Sequence, residues 1–171
     1  MKMDEITKLV DKKAIKLIRF LYCDNGSIIR GKAATNNTFL RASKTGIGLT
    51  CAQQAFNLFD QLQPVKGFEP VGEVRMIPDI DSLKILPYAD STAAAICDQV
   101  TRDGKPSPAC QRSFLKKMIA VLESYNIKLQ VAFENEFSLY RQSPEGADVP
   151  LDHSQCFSSI AMDRASSIRN Y

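Results

Sequence analysis

Two glutamates one residue apart are the first candidates for chemistry in this sequence. Between Ile127 and Tyr140 the side chains alternate: Leu129, Val131, Phe133, Phe137 and Leu139 fall on one face of a strand, with Gln130, Ala132, Glu134, Glu136 and Ser138 on the other. Adjacent carboxylates on one face of a rigid strand suit a hard divalent cation, because Mg²⁺ and Mn²⁺ take oxygen ligands and need their charge neutralised. Spacing alone also fits a solvent-facing edge carrying two glutamates, the commoner situation for Glu. The only histidine, His153, lies in a loop soon after this strand and reads as a surface residue. Cys51 has no base near it in sequence and reads as an idle or buried thiol.

Other classes of chemistry find little support. Cys23, Cys51, Cys97, Cys110 and Cys156 are odd in number and form no closely spaced pair of the zinc or redox type, so reduced thiols in a cytoplasmic protein are expected. A formal charge of +3 over 171 residues is small. The lysines and arginines are dispersed, without interleaved aromatic side chains, which argues against nucleic acid as a partner. The apolar stretch Ile15 to Cys23 is broken by Lys16 and Arg19, so neither a signal-peptide core nor a bilayer span is expected. With 44% hydrophobic and 24% charged residues, a packed core should form.

The elements that would carry these residues follow from periodicity. Ile6, Leu9 and Val10 share a helical face, and Ile15 to Cys23 is rich in branched and aromatic residues, giving a short helix followed by a strand. Asp24-Asn25-Gly26 supplies a turn whose Asn-Gly pair tolerates positive φ, and Ser27 to Ala33 returns as the partner strand. Thr35 to Gly48 is polar and punctuated by glycine, whereas Ala52, Ala55, Phe56, Phe59 and Leu62 have helical spacing. Glu73 to Ile77, Leu83 to Leu86 and Thr92 to Val100 read as short strands separated by Pro and Asp turns. The Pro- and Gly-bearing run Thr101 to Pro108 is where a domain junction is expected. Beyond it Leu115, Met118, Ile119 and Leu122 form the stripe of an amphipathic helix, ending near Asn126 as a C′ residue. From Arg141 to Pro150 the sequence reads as loop, and the run to Tyr171 shows no clear period.

Several of these segments also carry a family pattern. Phe133-Glu134-Asn135-Glu136-Phe137-Ser138-Leu139 resembles the Glu-x-Glu-Phe-x-Leu strand of glutamine synthetases and their γ-glutamyl-amine ligase relatives. Asp24-Asn25-Gly26 with Arg30-Gly31-Lys32 resembles the hairpin of the γ-glutamylpolyamine ligase branch, with one residue fewer between Asp and Gly. Pro78-Asp79, Leu86-Pro87, Cys97-Asp98, Gly104-x-Pro106 and Cys110-x-Arg112-x-x-Leu115 follow in the family's order.

The resemblance implies an α+β fold: an N-terminal β-grasp domain over residues 1–103, followed over residues 104–171 by the truncated start of a glutamine-synthetase-type catalytic α/β domain. It assigns Glu134 and Glu136 as ligands of Mg²⁺ or Mn²⁺, which would act with ATP. It further implies a complete enzyme that joins glutamate to ammonia or an amine through γ-glutamyl phosphate, working as a homo-oligomer. The family's remaining glutamates, metal histidine, nucleotide contacts and substrate arginines have no counterpart in this sequence, and His153 does not match the metal histidine. These 171 residues alone are therefore expected to be inactive. Where glutamine synthetases carry an Asp-Gly-Ser-Ser loop, Gly48-Leu49-Thr50-Cys51-Ala52-Gln53-Gln54 contains no acid, which leaves ammonia or an amine open as the acceptor. The alternative expectation is a non-catalytic relative with an interaction or regulatory role.

Overall fold

The computed structural model describes residues 14–134, 136–155 and 158–166. The helix expected around Ile6 to Val10 lies outside them. The chain divides into two compact units, residues 1–129 and 130–171.

The first unit is built on a six-stranded sheet with strand order β2-β1-β6-β4-β3, and β5 pairing with β6 to one side. β1 (Leu17–Cys23) alternates between buried and exposed residues, placing Ile18, Phe20 and Tyr22 in the core. β2 (Ile29–Thr35) runs back antiparallel to it in register Leu17↔Thr35 through Cys23↔Ile29, as the hairpin reading requires. The turn differs in detail: the positive φ falls at Ser27 (63°), not at the Asn25-Gly26 pair. The reason is Asp24, whose carboxylate Oδ1 accepts from the backbone N–H of Gly26 at 2.8 Å and of Ile28 at 2.9 Å, and so dictates the path of the loop.

β6 (Thr92–Val100) lies at the centre, parallel to β1 through Leu17↔Thr92 to Leu21↔Ile96 and antiparallel to β4 (Glu73–Pro78) through Arg75↔Val100 to Pro78↔Cys97. The run of small residues Ala93, Ala94 and Ala95 suits a strand crowded on both faces. β3 (Ile47–Thr50) and β5 (Lys84–Ile85) complete the sheet. One 3₁₀ turn, Ile80–Ser82, leads into β5, and its Asp79 side chain caps it by accepting from Asp81 N–H at 3.1 Å.

Between β2 and β4 one expectation is overturned and one helix appears where none was expected. The polar stretch after Thr35 forms helix α1 (Asn36–Thr45), and the stretch from Ala52 to Leu62 forms only a 3₁₀ turn, Cys51–Ala55, followed by loop. α1 is anchored chiefly by Phe39, which is fully buried and meets Phe20 edge to face with ring centroids 6.2 Å apart, with Ala42 also packing on the core. In the second stretch, Asn57 Oδ1 accepts from Phe59 N–H at 2.9 Å and Gln61 N–H at 3.0 Å. That side chain competes with the helical ladder and wins, leaving Leu58 and Phe59 exposed.

α2 (Gln111–Ser124) follows the expected stripe. Its end is a full Schellman motif: Asn126 takes φ 57°, its N–H donates to Glu123 O at 2.9 Å, and Ile127 N–H donates to Leu122 O at 3.0 Å.

In the second unit, β7 (Tyr140–Gln142) pairs antiparallel with β8 (Asp148–Pro150), so the expected loop after Arg141 is a hairpin. Its turn is closed by Ser143 N–H donating to Ala147 O at 2.8 Å, with Gly146 at φ 82°. Helix α3 (Ser159–Ser166) lies in the closing run, where no element was expected.

Candidate functional site

The motif residues of the first unit converge on two ion networks. In the first, Asp24 sits at the mouth of the β1–β2 hairpin, 4% exposed. Arg30 Nε donates to its Oδ2 at 2.5 Å, while Arg30 Nη1 reaches Asp60 Oδ1 at 2.7 Å and the guanidinium lies 5.2 Å from the centre of the Phe56 ring. Burial pushes the Asp24 carboxyl up, but the hydrogen bonds from Arg30, Ile28 and Gly26 outweigh it, and its pKa lies below the ordinary value. Burial likewise raises the nearby Tyr22 hydroxyl to about 12, with Arg30 opposing and Asp24 adding to the shift.

Gly31, next in the motif, has a packing reason. A Cβ there would lie 2.2 Å from the Phe20 carbonyl oxygen and 2.9 Å from Leu21 Cδ2. Lys32, the last motif residue, crosses to β3 and donates to Gly48 O at 2.6 Å.

The second network joins α2 to the sheet. Arg112 donates through Nη1 to Asp98 Oδ1 at 2.8 Å and through Nη2 to Asp79 Oδ2, and Lys116 donates to Asp98 Oδ2 at 2.6 Å. The Arg112 guanidinium holds the Asp79 carboxyl below its ordinary pKa against the opposing effect of burial. Beneath it, Cys110 caps α2 with its thiol: Sγ accepts from Gln99 N–H at 3.2 Å and from Ser113 N–H at 3.4 Å. Cys97 is buried, and desolvation raises its thiol to about 12. Cys23, Cys51, Cys97 and Cys110 are all free thiols.

Sequence reading singled out Asp24, Arg30, Asp79, Asp98 and Arg112 without foreseeing that they meet as ion pairs. It missed Asp60 and Lys116 as partners. Lys116 lies four residues after Arg112 on one helical face, a legible signal. Asp60 lies in an irregular loop with no periodicity to place it. In the second network two cations balance two carboxylates, and in the first Arg30 is shared between Asp24 and Asp60, so their chemistry is the positioning of a hairpin and a helix.

The strand expected to carry the metal pair is not formed among the described residues. Glu134 and Glu136 are exposed in the second unit, and among the described residues from 127 to 140 only Tyr140 belongs to a strand. The alternation between Ile127 and Tyr140 meets the side-chain requirement of a strand, but among the described residues no neighbour supplies the ladder that would make it one. Its apolar face is therefore unburied, with Val131 74%, Phe133 88% and Phe137 79% exposed. Carboxylate oxygens are the right donor type for Mg²⁺ or Mn²⁺. Among the described residues, however, no three His, Cys, Asp or Glu side chains come together to hold a metal. His153 is exposed, as expected. No helix among the described residues is long and apolar enough to cross a membrane.

The sequence profile of the glutamine synthetase N-terminal domain matches residues 3–107, more than half of the chain. The chain belongs to the glutamine synthetase family. Among curated relatives of this glutamine-synthetase-family chain, γ-glutamylanilide synthase from Acinetobacter sp. is 27% identical over 165 residues, covering 86% of this chain and 33% of the relative. The γ-glutamylpolyamine synthetase of Streptomyces coelicolor is 30% identical over 128 residues, covering 73% and 27%, respectively. Glutamine synthetase from Thermotoga maritima is 26% identical over 176 residues, covering 99% and 38%. The chain thus spans about a third of the length of the curated relatives it matches. Among solved structures, GmaS without ligand superposes with a TM-score of 0.67 at 18% identity, over 98% of this chain and 38% of that one. That likeness supports the mixed α+β fold of the family.

Proposed function

We propose that this chain is the N-terminal part of an ATP-dependent glutamate–ammonia or glutamate–amine ligase. In such a ligase the γ-phosphoryl group of ATP passes to the γ-carboxylate of glutamate. Ammonia or an amine then attacks the γ-glutamyl phosphate and phosphate leaves. The observation that carries the reading is the family match over residues 3–107, within which the motif residues Asp24, Arg30, Asp79 and Asp98 are tied into ion networks.

Within this reading, residues 1–103 form a β-grasp domain and residues 104–171 open the catalytic α/β domain. The parallel pairing of β1 with β6, the β1–β2 hairpin and the packing of α1 through Phe39 support the first assignment. Glu134 and Glu136 are the metal ligands, and Mg²⁺ or Mn²⁺ bound there would neutralise phosphate charge. Their donor type supports this, while the remaining ligands would come from beyond the described residues. The complete enzyme is a cytoplasmic homo-oligomer whose partners are small molecules and its own copies, with neither nucleic acid nor membrane. The γ-glutamylanilide and γ-glutamylpolyamine ligases among its relatives favour an amine as acceptor.

The test is a calorimetric Mn²⁺ titration of the chain and of its Glu134→Ala, Glu136→Ala double variant. In parallel, a protein that continues this chain to its relatives' length is assayed for γ-glutamyl hydroxamate from ATP, glutamate and hydroxylamine. Metal binding lost in the variant, together with ATP-dependent hydroxamate, is expected. Identical isotherms would remove the metal assignment, and absence of hydroxamate would remove the ligase.

A second reading, a non-catalytic interaction or regulatory protein, is favoured by the exposed apolar face of Val131, Phe133 and Phe137, which suits docking onto another protein. It predicts neither metal binding nor hydroxamate.

A further inference from the structure

β2 and β3 are the two outer strands of the sheet path β2-β1-β6-β4-β3, so among the described residues each carries one ladder edge without a neighbouring strand. The two edges nevertheless face one another. Lys32 Nζ of β2 donates to Gly48 O of β3 at 2.6 Å, and Ala33 and Ala34 of β2 share with Gly48 of β3 the lining of one cleft of about 390 Å³. Among the described residues no backbone hydrogen bond joins β2 to β3; each pairs only with its inner neighbour. The interval is bridged by the length of a lysine side chain. One inserted strand needs two inter-strand spacings, roughly 10 Å in all.

The charge of the cleft selects its occupant. Arg41 and Arg75 line it and Lys32 bridges it. Arg75 is already committed, to Glu73 at 2.9 Å and to Thr45 O at 2.7 Å. Among the described residues Lys32 meets a carbonyl and no carboxylate, and none pairs with Arg41. A lysine lying across an open edge is also a common way of keeping strands from pairing there indiscriminately. When Lys32 swings to an incoming carboxylate, Gly48 O is released to accept a backbone N–H.

We propose that the cleft between β2 and β3 takes one extended acidic segment of a partner protein, which adds as a strand between the two edges and sets its carboxylates against Lys32 and Arg41. This inference is independent of the ligase reading, because it uses neither Glu134 nor Glu136.

The test is an NMR titration of the full chain with a seven-residue peptide alternating Glu and Val. Saturable shifts of the amides of Ile29–Thr35 and Ile47–Thr50 are expected below about 1 mM peptide. Replacing alternate peptide residues by proline removes the donors needed for the ladder and should abolish the shifts, as should a Lys/Val peptide of the same length. Arg41→Glu, on an exposed position of α1, should weaken binding about tenfold with the spectrum otherwise unchanged. Shifts that are absent, lie elsewhere, or survive the proline peptide overturn the proposal. Equal shifts with free glutamate would make the cleft an anion pocket and overturn it too. So would a dimer seen by light scattering whose interface broadens these amides without peptide, since a second copy would then be the occupant.

Discussion

Arg112 and Asp98 stand on different elements, a helix and the central strand of the sheet, and are joined by a 2.8 Å charge-assisted hydrogen bond that is largely shielded from solvent. The same guanidinium holds Asp79, so a single side chain keeps two carboxylates from facing each other unpaired.

Arg112→Met retains the apolar stem and removes the charge. Two partly buried aspartates then remain with Lys116 as the cation beside them among the described residues, and a loss of about 1–3 kcal/mol is expected from urea denaturation. An unchanged midpoint would show that this network does not stabilise the fold.

Acid should act through Asp24 and Asp79. Both carboxyls lie below their ordinary value of 3.8 in the folded chain, so the unfolded chain binds these protons more tightly. Their contribution is fully present above the unfolded value and is lost as pH falls through the lowered folded values. Urea midpoints measured from about pH 6 to about pH 2 should fall steeply only at the acid end, and Asp24→Asn should flatten that fall. A variant with the parent's pH profile would contradict the assignment.

Gly31→Ala places a methyl group against the Phe20 carbonyl oxygen, a backbone atom that cannot move without opening the β1–β2 hairpin. Destabilisation of about 1–3 kcal/mol is expected by thermal or urea unfolding. An alanine variant as stable as the parent would mean the hairpin tolerates a wider separation.

Thiol labelling should be ordered by burial. With its pKa raised to about 12, Cys97 should resist iodoacetamide at about pH 8, whereas exposed Cys23 should be alkylated readily. Peptide mapping by mass spectrometry, with and without denaturant, distinguishes the two. Early modification of Cys97 in the folded chain would show that β6 opens.

The sequence made β1, β4, β6 and α2 legible because each carries its period in its own residues, from Ile18, Phe20 and Tyr22 in one strand to Leu115, Met118, Ile119 and Leu122 on the helix. Asn126 at the end of α2 was equally legible, since a left-handed position after a helix favours glycine or asparagine. α1 was not, because its Asn, Thr, Ser and Lys residues carry a weak local signal and its chief anchor is one phenylalanine meeting a distant strand. The stretch around Asn57 misled in the opposite sense: apolar residues at helical spacing lost to an asparagine side chain that folds the loop on itself. Glu134 and Glu136 show a third limit. Alternation reports what a segment could do beside a partner, and no described strand pairs with it. The ion networks were legible as motif residues but not as partners, because convergence of Asp79, Asp98 and Arg112 is a property of the folded sheet and helix together.

The attachment of α2 has one further consequence. No side chain of the helix is fully buried; Met118 and Leu122 are half-buried, while Phe114 and Leu115 face solvent. Its grip on the sheet is therefore in good part ionic, through Arg112 and Lys116. Concentrated salt shortens the reach of such charges from about 10 Å at 0.1 M to about 3 Å at 1 M, while leaving the dry interior of the sheet intact. In brine the attachment of the helix should weaken at salt concentrations the β-sheet withstands.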